Sequence, residues 1–178
     1  MKPQEPHPSF ISLTPSHGRA LERFLCEFDD RTDELHGYFC DRHLSVEEVS
    51  DLLEAWSEDR ELPTGWVGST TRFWGDEHQI HGVINIRHHL TAHLEELGGH
   101  IGYCIAPSSR RQGLATAMLK EALKLCREKE IMKVLITCDT ENVASWKTIE
   151  RCGGVLAREE WSDLAAKVQR WYWVDFSS

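Results

Sequence analysis

Apolar residues in the first third of the chain recur every three or four positions, which is the spacing of one buried face of an α-helix. The first stripe follows Pro15, a residue that suits the first turn of a helix, and consists of Leu21, Phe24, Leu25 and Phe28. The second stripe consists of Val49, Leu52, Leu53 and Trp56. Ser45 and Glu48 precede it with the spacing of a capping box. The pattern therefore predicts two helices before any sheet.

From Trp66 onward the pattern changes to short apolar runs separated by turn residues, which is typical of strands. The predicted strands cover residues 66–74, 80–88, 100–106, 132–138, 155–161 and 168–176. The first two form a hairpin, and further helices are predicted from about Gly113 and over 142–151. Two helices followed by the order β, β, β, α, β, α, β, β describe a mixed sheet with helices packed on it.

The length and composition of the chain fit one soluble domain. Of its 178 residues, 40% are hydrophobic and 28% are charged, and no linker divides them, so we predict a single domain over residues 1–178. Residues 1–10 carry three prolines and are expected to be a mobile lead-in. Because no apolar run approaches the ~20 residues that cross a bilayer and the start lacks a secretory signal, we expect a cytoplasmic protein with no membrane partner.

The net charge argues against one class of partner. Lys and Arg total 20 against 29 Asp and Glu, which gives a formal charge of −9. This is the wrong sign for a dedicated nucleic-acid binder, so no nucleic acid is expected. Any anionic ligand must therefore be held by groups close to it.

Cysteines and histidines are the residue types that would hold a metal. The six cysteines never form a CxxC pair and several fall inside predicted helices or strands, so we interpret them as reduced, mostly buried thiols. Six of the ten histidines lie between His78 and His100, and His89 and His93 are four apart. An HExxH pattern is absent and no third ligand is evident nearby, so we expect no metal, and a metal-dependent hydrolase is kept as the less favoured alternative.

The segment 105–116 carries the clearest chemical signal. A strand that ends near Pro107 leads through Arg110 and Arg111 to Gly113, at the start of an amphipathic helix. The first amides of a helix have no partner within it and carry partial positive charge, and glycine lets an anion approach them. The two guanidinium groups suit phosphate oxygens. The segment indicates a phosphate site, the alternative being a surface turn with a solvated arginine pair.

These residues resemble those of a known family. The run Arg110-Arg111-Gln112-Gly113-Leu114-Ala115 matches the R/Q-x-x-G-x-G/A signature of the GCN5-related N-acetyltransferases (GNAT). Downstream, Asn142 to Ser145 and Ile149 to Gly153 resemble the N-x-x-A/S…G segment that closes the cofactor cleft. The resemblance covers about residues 66–176 and extends to an uncharacterised branch of predicted acetyltransferases. It implies a mixed, mostly antiparallel central sheet with splayed central strands and flanking helices.

The resemblance also implies acetyl-CoA as the cosubstrate. In the family the pantetheine arm follows the main chain of the strand that ends here at Ile105, and the pyrophosphate takes the amides of the next turn. Asn142 would bond the pantetheine, with Ser145 near the thiol. The implied cofactor-binding residues are Tyr103, Cys104, Ile105, Arg110, Arg111, Gln112, Gly113, Leu114, Ala115, Thr116, Asn142 and Ser145.

Direct acetyl transfer needs a neutral amine, and a lysine-like amine with a pKa of about 10.4 costs roughly 4.6 kcal/mol to neutralise at pH 7. The sequence departs from the family where the side chains for this chemistry are expected. Many relatives place a tyrosine acid where this chain has Ile149, and some place a glutamate base where it has Thr137. The nearby catalytic candidates are Tyr103, His100 and Ser145. Each of these also has an ordinary structural interpretation.

We therefore predict an N-acetyltransferase that moves acetyl directly to a primary amine of a small molecule or peptide. Acidic residues near the expected cleft mouth favour a cationic acceptor, and they are Glu95, Glu96, Asp139 and Glu141. The alternative from another class is a non-catalytic acyl-CoA-binding module. Edge strands near the carboxyl terminus make a homodimer plausible.

Overall fold

The computed structural model describes residues 8–28 and 44–177. The strands are β1 Ser9–Ile11, β2 Ser69–Gly75, β3 Ile80–Arg87, β4 Ile101–Ile105, β5 Lys133–Asp139, β6 Val155–Ser162 and β7 Lys167–Asp175. The α-helices are α1 Gly18–Cys26, α2 Val46–Ser57, α3 Ala92–Glu96, α4 Leu114–Glu128 and α5 Val143–Arg151. Short 3₁₀ turns at Pro15–His17 and Pro107–Ser109 precede α1 and α4.

The strands form two antiparallel sheets. The first has the order β1-β2-β3-β4 and the second the order β5-β7-β6. The predicted fold class, an α/β fold with mostly antiparallel strands and flanking helices, is confirmed. The predicted hairpin is also confirmed, since β2 pairs with β3 from Ser69 opposite Arg87 to Gly75 opposite Ile80.

The first sheet is buried on both faces. Ile84 and Ile86 of β3 pack on one face with the apolar stripe of α4. Phe73 of β2 and Val83 of β3 pack on the other face with α1 and α2. The two cores explain why the apolar residues of β3 do not simply alternate, since Val83 and Ile84 are consecutive and each is buried on its own face of the sheet. Among the described residues no helix is long and apolar enough to cross a bilayer.

The predicted capping box of α2 is confirmed. The Glu48 amide donates to Ser45 Oγ at 3.2 Å, and the Glu48 carboxylate accepts from the Ser45 amide at 2.7 Å. Such a cap is worth about 1 kcal/mol to the helix. It explains why α2 begins where the sequence indicates.

Residues 9 and 10, at the end of the predicted lead-in, are part of a strand. Ser9–Ile11 form β1 and extend the first sheet along β2. Two side chains of β1 find apolar partners: the ring of Phe10 packs edge-on against Trp74 with centroids 5.0 Å apart, and Ile11 packs against the core under α1 and α2. Residues 1–7 of the lead-in, like Cys40, lie outside the described residues.

Two boundaries differ from the sequence prediction. Strand β2 begins at Ser69 rather than Trp66, because the Trp66 amide closes a turn on the Pro63 carbonyl and the Trp66 ring packs on Trp56. The short helix α3 lies between the predicted strands 80–88 and 100–106, where the sequence predicts no element. Thr91 caps it by accepting the Leu94 amide at 3.3 Å, a local bond that apolar spacing does not reveal.

Candidate active site

The two sheets meet at one end and diverge at the other. The His100 amide, just before β4, donates to the Leu135 carbonyl of β5 at 2.7 Å. Beyond that bond β4 and β5 belong to separate sheets in the described chain. The gap between them is a cleft of about 420 Å³ whose walls include Gly102 and Tyr103 of β4 and Cys138 of β5.

The edge of β4 that faces the cleft carries main-chain donors. The Arg87 amide donates to the His100 carbonyl, and the Ala106 amide donates to the His81 carbonyl, each at 2.8 Å. Because an antiparallel strand bonds its neighbour at every second residue, the even-numbered residues of β4 face β3. The amides of Tyr103 and Ile105 therefore point towards the cleft.

The turn before α4 has the conformation of an anion site. Arg111 and Gly113 have positive φ angles of 63° and 81°, and Gly113 is the N-cap of the helix without a side-chain cap. The first helical amide with a backbone acceptor is that of Ala117, which donates to Gly113 at 3.1 Å. The amides of residues 114–116 have no acceptor within the helix. A Cβ at Gly113 would meet nothing within 4 Å, so the approach to these amides is open.

The two arginines of the turn differ. The Arg110 Nε donates to the Ile105 carbonyl at 3.0 Å and so ties the turn back to the end of β4. Both arginines are exposed to solvent. The sequence predicts both arginines as donors to phosphate, whereas in the structure the Nε of Arg110 is bonded to the Ile105 carbonyl of β4.

On the opposite wall of the cleft, Asn142 is the N-cap of α5. The side-chain Oδ1 of Asn142 accepts the Ser145 amide at 3.1 Å. The main-chain amide of Asn142 donates to the Asp139 carbonyl at 3.0 Å. Asn142 and Ser145 both line the cleft. The helix start and the carboxyl end of β5 are thereby fixed to each other.

Tyr103 spans the cleft from β4 to α5. Its hydroxyl lies 3.1 Å from Ser145 Oγ and 3.3 Å from the Ser145 carbonyl, to which it donates. Burial raises the pKa of Tyr103 to about 12. Two of the three catalytic candidates are therefore in contact, and the tyrosine stays protonated at neutral pH as a hydrogen-bond donor.

His100, the third candidate, is absent from the cleft lining and lies at its closed end. Its side chain is buried, and its Nδ1 accepts the Leu135 amide at 2.9 Å. Burial, with the nearby Arg87 charge, lowers the pKa of His100 to about 4. With its Nδ1 lone pair engaged by the Leu135 amide and a pKa of about 4, His100 is a weak base that does not reach the cleft, so a catalytic role for it has little support.

The described cysteines are free thiols. Cys138 lines the cleft, and burial raises its pKa to about 11. The thiolate is the nucleophilic form of cysteine, so a thiol held protonated is a poor candidate for a covalent acetyl carrier. In residues 8–28 and 44–177 no group of three or more His, Cys, Asp and Glu side chains could hold a metal ion.

The sequence predicts the carboxylates at the cleft mouth but not the side chains that bind them. Asp139 lines the cleft but binds Lys167 at 3.0 Å and also accepts from Gln169, while Glu96 binds Arg158 at 2.8 Å. Two of the four carboxylates offered as evidence for a cationic acceptor are thus paired. Lys167 and Gln169 come from β7, about 30 residues after Asp139 in sequence, and no local motif indicated them.

Comparisons with known proteins identify a family and several similar solved structures. Residues 12–155 match the family model described as "Acetyltransferase (GNAT) domain". No curated protein matches the chain. The fold is similar to that of the microcin C7 self-immunity acetyltransferase MccE, solved with acetyl-CoA and AMP (13% identity, TM-score 0.60, covering 95% of this chain and 92% of that one).

Two further solved structures are similar. The ribosomal L7/L12 α-N-protein acetyltransferase RimL, in complex with coenzyme A, has 16% identity and a TM-score of 0.62, covering 97% of this chain and 96% of that one. The ribosomal-protein-S5-alanine acetyltransferase of Vibrio fischeri has 13% identity and a TM-score of 0.66, covering 98% of this chain and 96% of that one. At these identities the structures establish a common fold, and the family match covers most of the chain.

Proposed function

This chain belongs to the acetyltransferase (GNAT) family, and from that premise we propose that it transfers acetyl from acetyl-CoA directly to the primary amine of a small molecule or a peptide. The observation that carries the proposal is two sets of main-chain donors. The β4 edge offers the amides of Tyr103 and Ile105, and the first turn of α4 offers the amides of residues 114–116.

The turn supports binding of the pyrophosphate. Its helix amides point outward at the positive end of α4, a helix of 15 residues, and no side chain at Gly113 blocks the approach. Arg111 adds an exposed positive charge beside them. A chain with a formal charge of −9 needs this kind of local arrangement to hold a diphosphate.

The β4 edge supports binding of the pantetheine and of the thioester. A pantetheine arm carries amide groups that match the unpaired amides and carbonyls of a strand edge. The Ile105 amide then supplies a donor for the oxygen that gains negative charge when the amine nitrogen attacks the thioester carbon. The carbon–sulfur bond breaks, and the leaving thiolate takes up a proton.

Tyr103 supports the leaving group by donating a hydrogen bond. With a pKa of about 12, it holds its proton more tightly than a thiol, whose ordinary pKa is about 8.5, so it stabilises the thiolate without ionising itself. The lining of the cleft includes one carboxylate, Asp139, and no histidine among the described residues. Removal of the amine proton therefore falls to Asp139 or to solvent.

The acceptor panel follows from the named neighbours and from the charges at the cleft mouth. One neighbour is named a microcin self-immunity enzyme and two are named ribosomal-protein acetyltransferases. The panel should therefore hold small amines and short peptides with free α-amino groups, in both neutral and cationic forms. Lys167 beside Asp139 makes the mouth less acidic than the sequence indicates, so the neutral members are essential.

The test is release of free thiol from acetyl-CoA with this panel, together with mass detection of the acetylated amine. We expect turnover with at least one class of amine and no loss on addition of a chelator. Tight coenzyme binding without turnover across the panel would instead establish a non-catalytic acyl-CoA-binding module. Activity that a chelator abolishes would support the metal-dependent hydrolase.

A further inference from the structure

The closed end of the cleft is held by a group of side-chain and main-chain bonds that we call the clasp, formed by Arg87, Gly98, Gly99, His100 and Thr137 with the main chain of Leu135. It connects β3 of the first sheet to β5 of the second. None of its bonds belongs to a regular ladder between β4 and β5, which lie in different sheets.

His100 makes with Leu135 the two hydrogen bonds that a paired strand residue would make. Its amide donates to the Leu135 carbonyl at 2.7 Å, and its ring Nδ1 accepts the Leu135 amide at 2.9 Å. Its own carbonyl accepts the Arg87 amide at 2.8 Å and is committed to β3. The ring nitrogen thus does for β5 what a backbone carbonyl does in a paired strand, and one residue binds both sheets.

The residues before His100 add to this connection. The Gly98 amide donates to Thr137 Oγ1 at 2.9 Å, and Arg87 Nη1 donates to the carbonyls of Gly98 at 3.2 Å and Gly99 at 3.1 Å. A Cβ at Gly99 would lie 2.5 Å from the Leu135 carbonyl oxygen, and Gly99 has a φ of 63°. The close approach of the two sheets therefore depends on a glycine at this position.

We propose that the clasp sets the angle at which β4 and β5 diverge, so that His100 and Thr137 are positioning residues for acetyl transfer. This inference rests on the proposed function. Ile105, five residues beyond His100, lies about 16 Å further along β4 at ~3.3 Å per residue. A change of about 4° at the clasp would move the Ile105 amide by about 1 Å, and a misplacement of that size can cost roughly 100-fold in rate.

The position of Thr137 gives the inference a clean pair of variants. Thr137→Val keeps the shape of the side chain and removes the acceptor of the Gly98 amide, whereas Thr137→Ser keeps the hydroxyl. At His100, His100→Leu removes the acceptor of the Leu135 amide, whereas His100→Asn keeps an oxygen close to the place of Nδ1. Each loss thus has a rescuing partner at the same residue.

The experiment measures kcat/KM for acetyl-CoA at a temperature where each variant is folded, and the affinities for CoA and for ADP. ADP probes the turn before α4 alone, because it has no pantetheine arm to follow β4. We expect Thr137→Val and His100→Leu to lose 10- to 100-fold in kcat/KM and to bind CoA more weakly. We expect Thr137→Ser and His100→Asn to recover to within a few-fold, with ADP affinity unchanged in all four.

The inference is overturned if the losing variants melt at lower temperature yet keep the kcat/KM of the parent chain, since the clasp would then be structural only. Equal losses of CoA and ADP affinity would also overturn it, because they indicate general damage. If His100→Leu does not fold, the Thr137 pair decides the question. If the parent chain shows no turnover, the proposed function fails, and the ratio of CoA to ADP affinity still tests the clasp.

Discussion

The turn before α4, proposed to bind the pyrophosphate, and the proposed transfer end of the cleft, where Tyr103 meets Ser145, are built in different ways. The turn uses main-chain amides of consecutive residues. It needs a glycine at position 113, because a side chain there would block the approach to these amides. The transfer end combines side chains from β4, α5 and β7, which lie far apart in sequence. A site made of consecutive amides leaves a readable motif, whereas a site assembled from distant side chains does not.

Gly113→Glu is the strongest test of the turn. The carboxylate would lie where the proposal puts the pyrophosphate, so we expect the Kd for CoA to rise at least 100-fold, measured by calorimetry. A left-handed residue with a Cβ also costs about 1–2 kcal/mol of stability. Gly65→Glu is the matched control, because Gly65 has a φ of 85° and open space around its Cα.

The control variant should bind CoA like the parent chain while showing the same loss of thermal stability. If both variants lose CoA affinity equally, backbone strain rather than the added charge is the cause. If neither does, the diphosphate is held elsewhere and the contrast between the two regions fails.

Tyr103→Phe probes the transfer end. Removing the hydroxyl deletes a donor near Ser145 and leaves the main-chain donors in place, so we expect kcat to fall roughly 10-fold with a nearly unchanged Kd for CoA. A bond of this kind is worth about 1.4 kcal/mol when it forms mainly in the transition state. Steady-state kinetics beside CoA titration separates the two quantities, and a fall in CoA affinity alone would assign Tyr103 to binding.

His100 predicts a pH dependence of stability. Its pKa in the folded chain is about 4, below the ordinary 6.5, so the unfolded chain binds a proton that the folded chain excludes. The free energy of unfolding should therefore have its full value above pH 6.5 and fall between pH 6.5 and 4, by on the order of 3 kcal/mol, since a pKa difference of one is worth ~1.36 kcal/mol. Urea unfolding at several pH values measures the slope.

The matched variant for this measurement is His100→Asn, which keeps an acceptor but has no proton to gain. Carboxylates titrate in the same window in both chains, so the difference between the two slopes isolates the imidazole. Identical slopes would mean that His100 is protonated at its ordinary pKa and that its bond to Leu135 is not maintained.

Lys167→Met is expected to have the smallest effect. The variant removes the positive charge beside Asp139 at the cleft mouth, so we expect KM for a cationic amine to fall about two- to fivefold and KM for a neutral amine to stay the same. Lys133→Met is the control, because Lys133 also forms an exposed ion pair, with Asp175, and is not among the residues that line the cleft. A KM change shared by both variants would show a general effect of net charge.

Most of the order of elements and the turn before α4 could be predicted from the sequence, because each depends on residues close together in the chain. The stripe of α4, the Ser45 capping box and the glycine at the start of α4 need no distant partner to be recognised. The strand β1 was missed because three residues with one buried aromatic contact give no periodic signal. The sequence could not distinguish the catalytic candidates from one another. Tyr103 and His100 lie on one short segment, and only their different surroundings in the fold separate them.

The sequence by itself indicated an α/β architecture and the motif for which a coenzyme is proposed, because helix periodicity, capping and main-chain anion sites are local properties of consecutive residues. The family and its mostly antiparallel sheet were implied by the resemblance that this motif carries. Tertiary structure alone decided that Tyr103 reaches Ser145, that Lys167 and Gln169 meet Asp139, and that the imidazole of His100 joins two sheets. Burial and distance to residues far along the chain set the protonation and the partners of these groups, and neither quantity is written in the spacing of neighbouring residues.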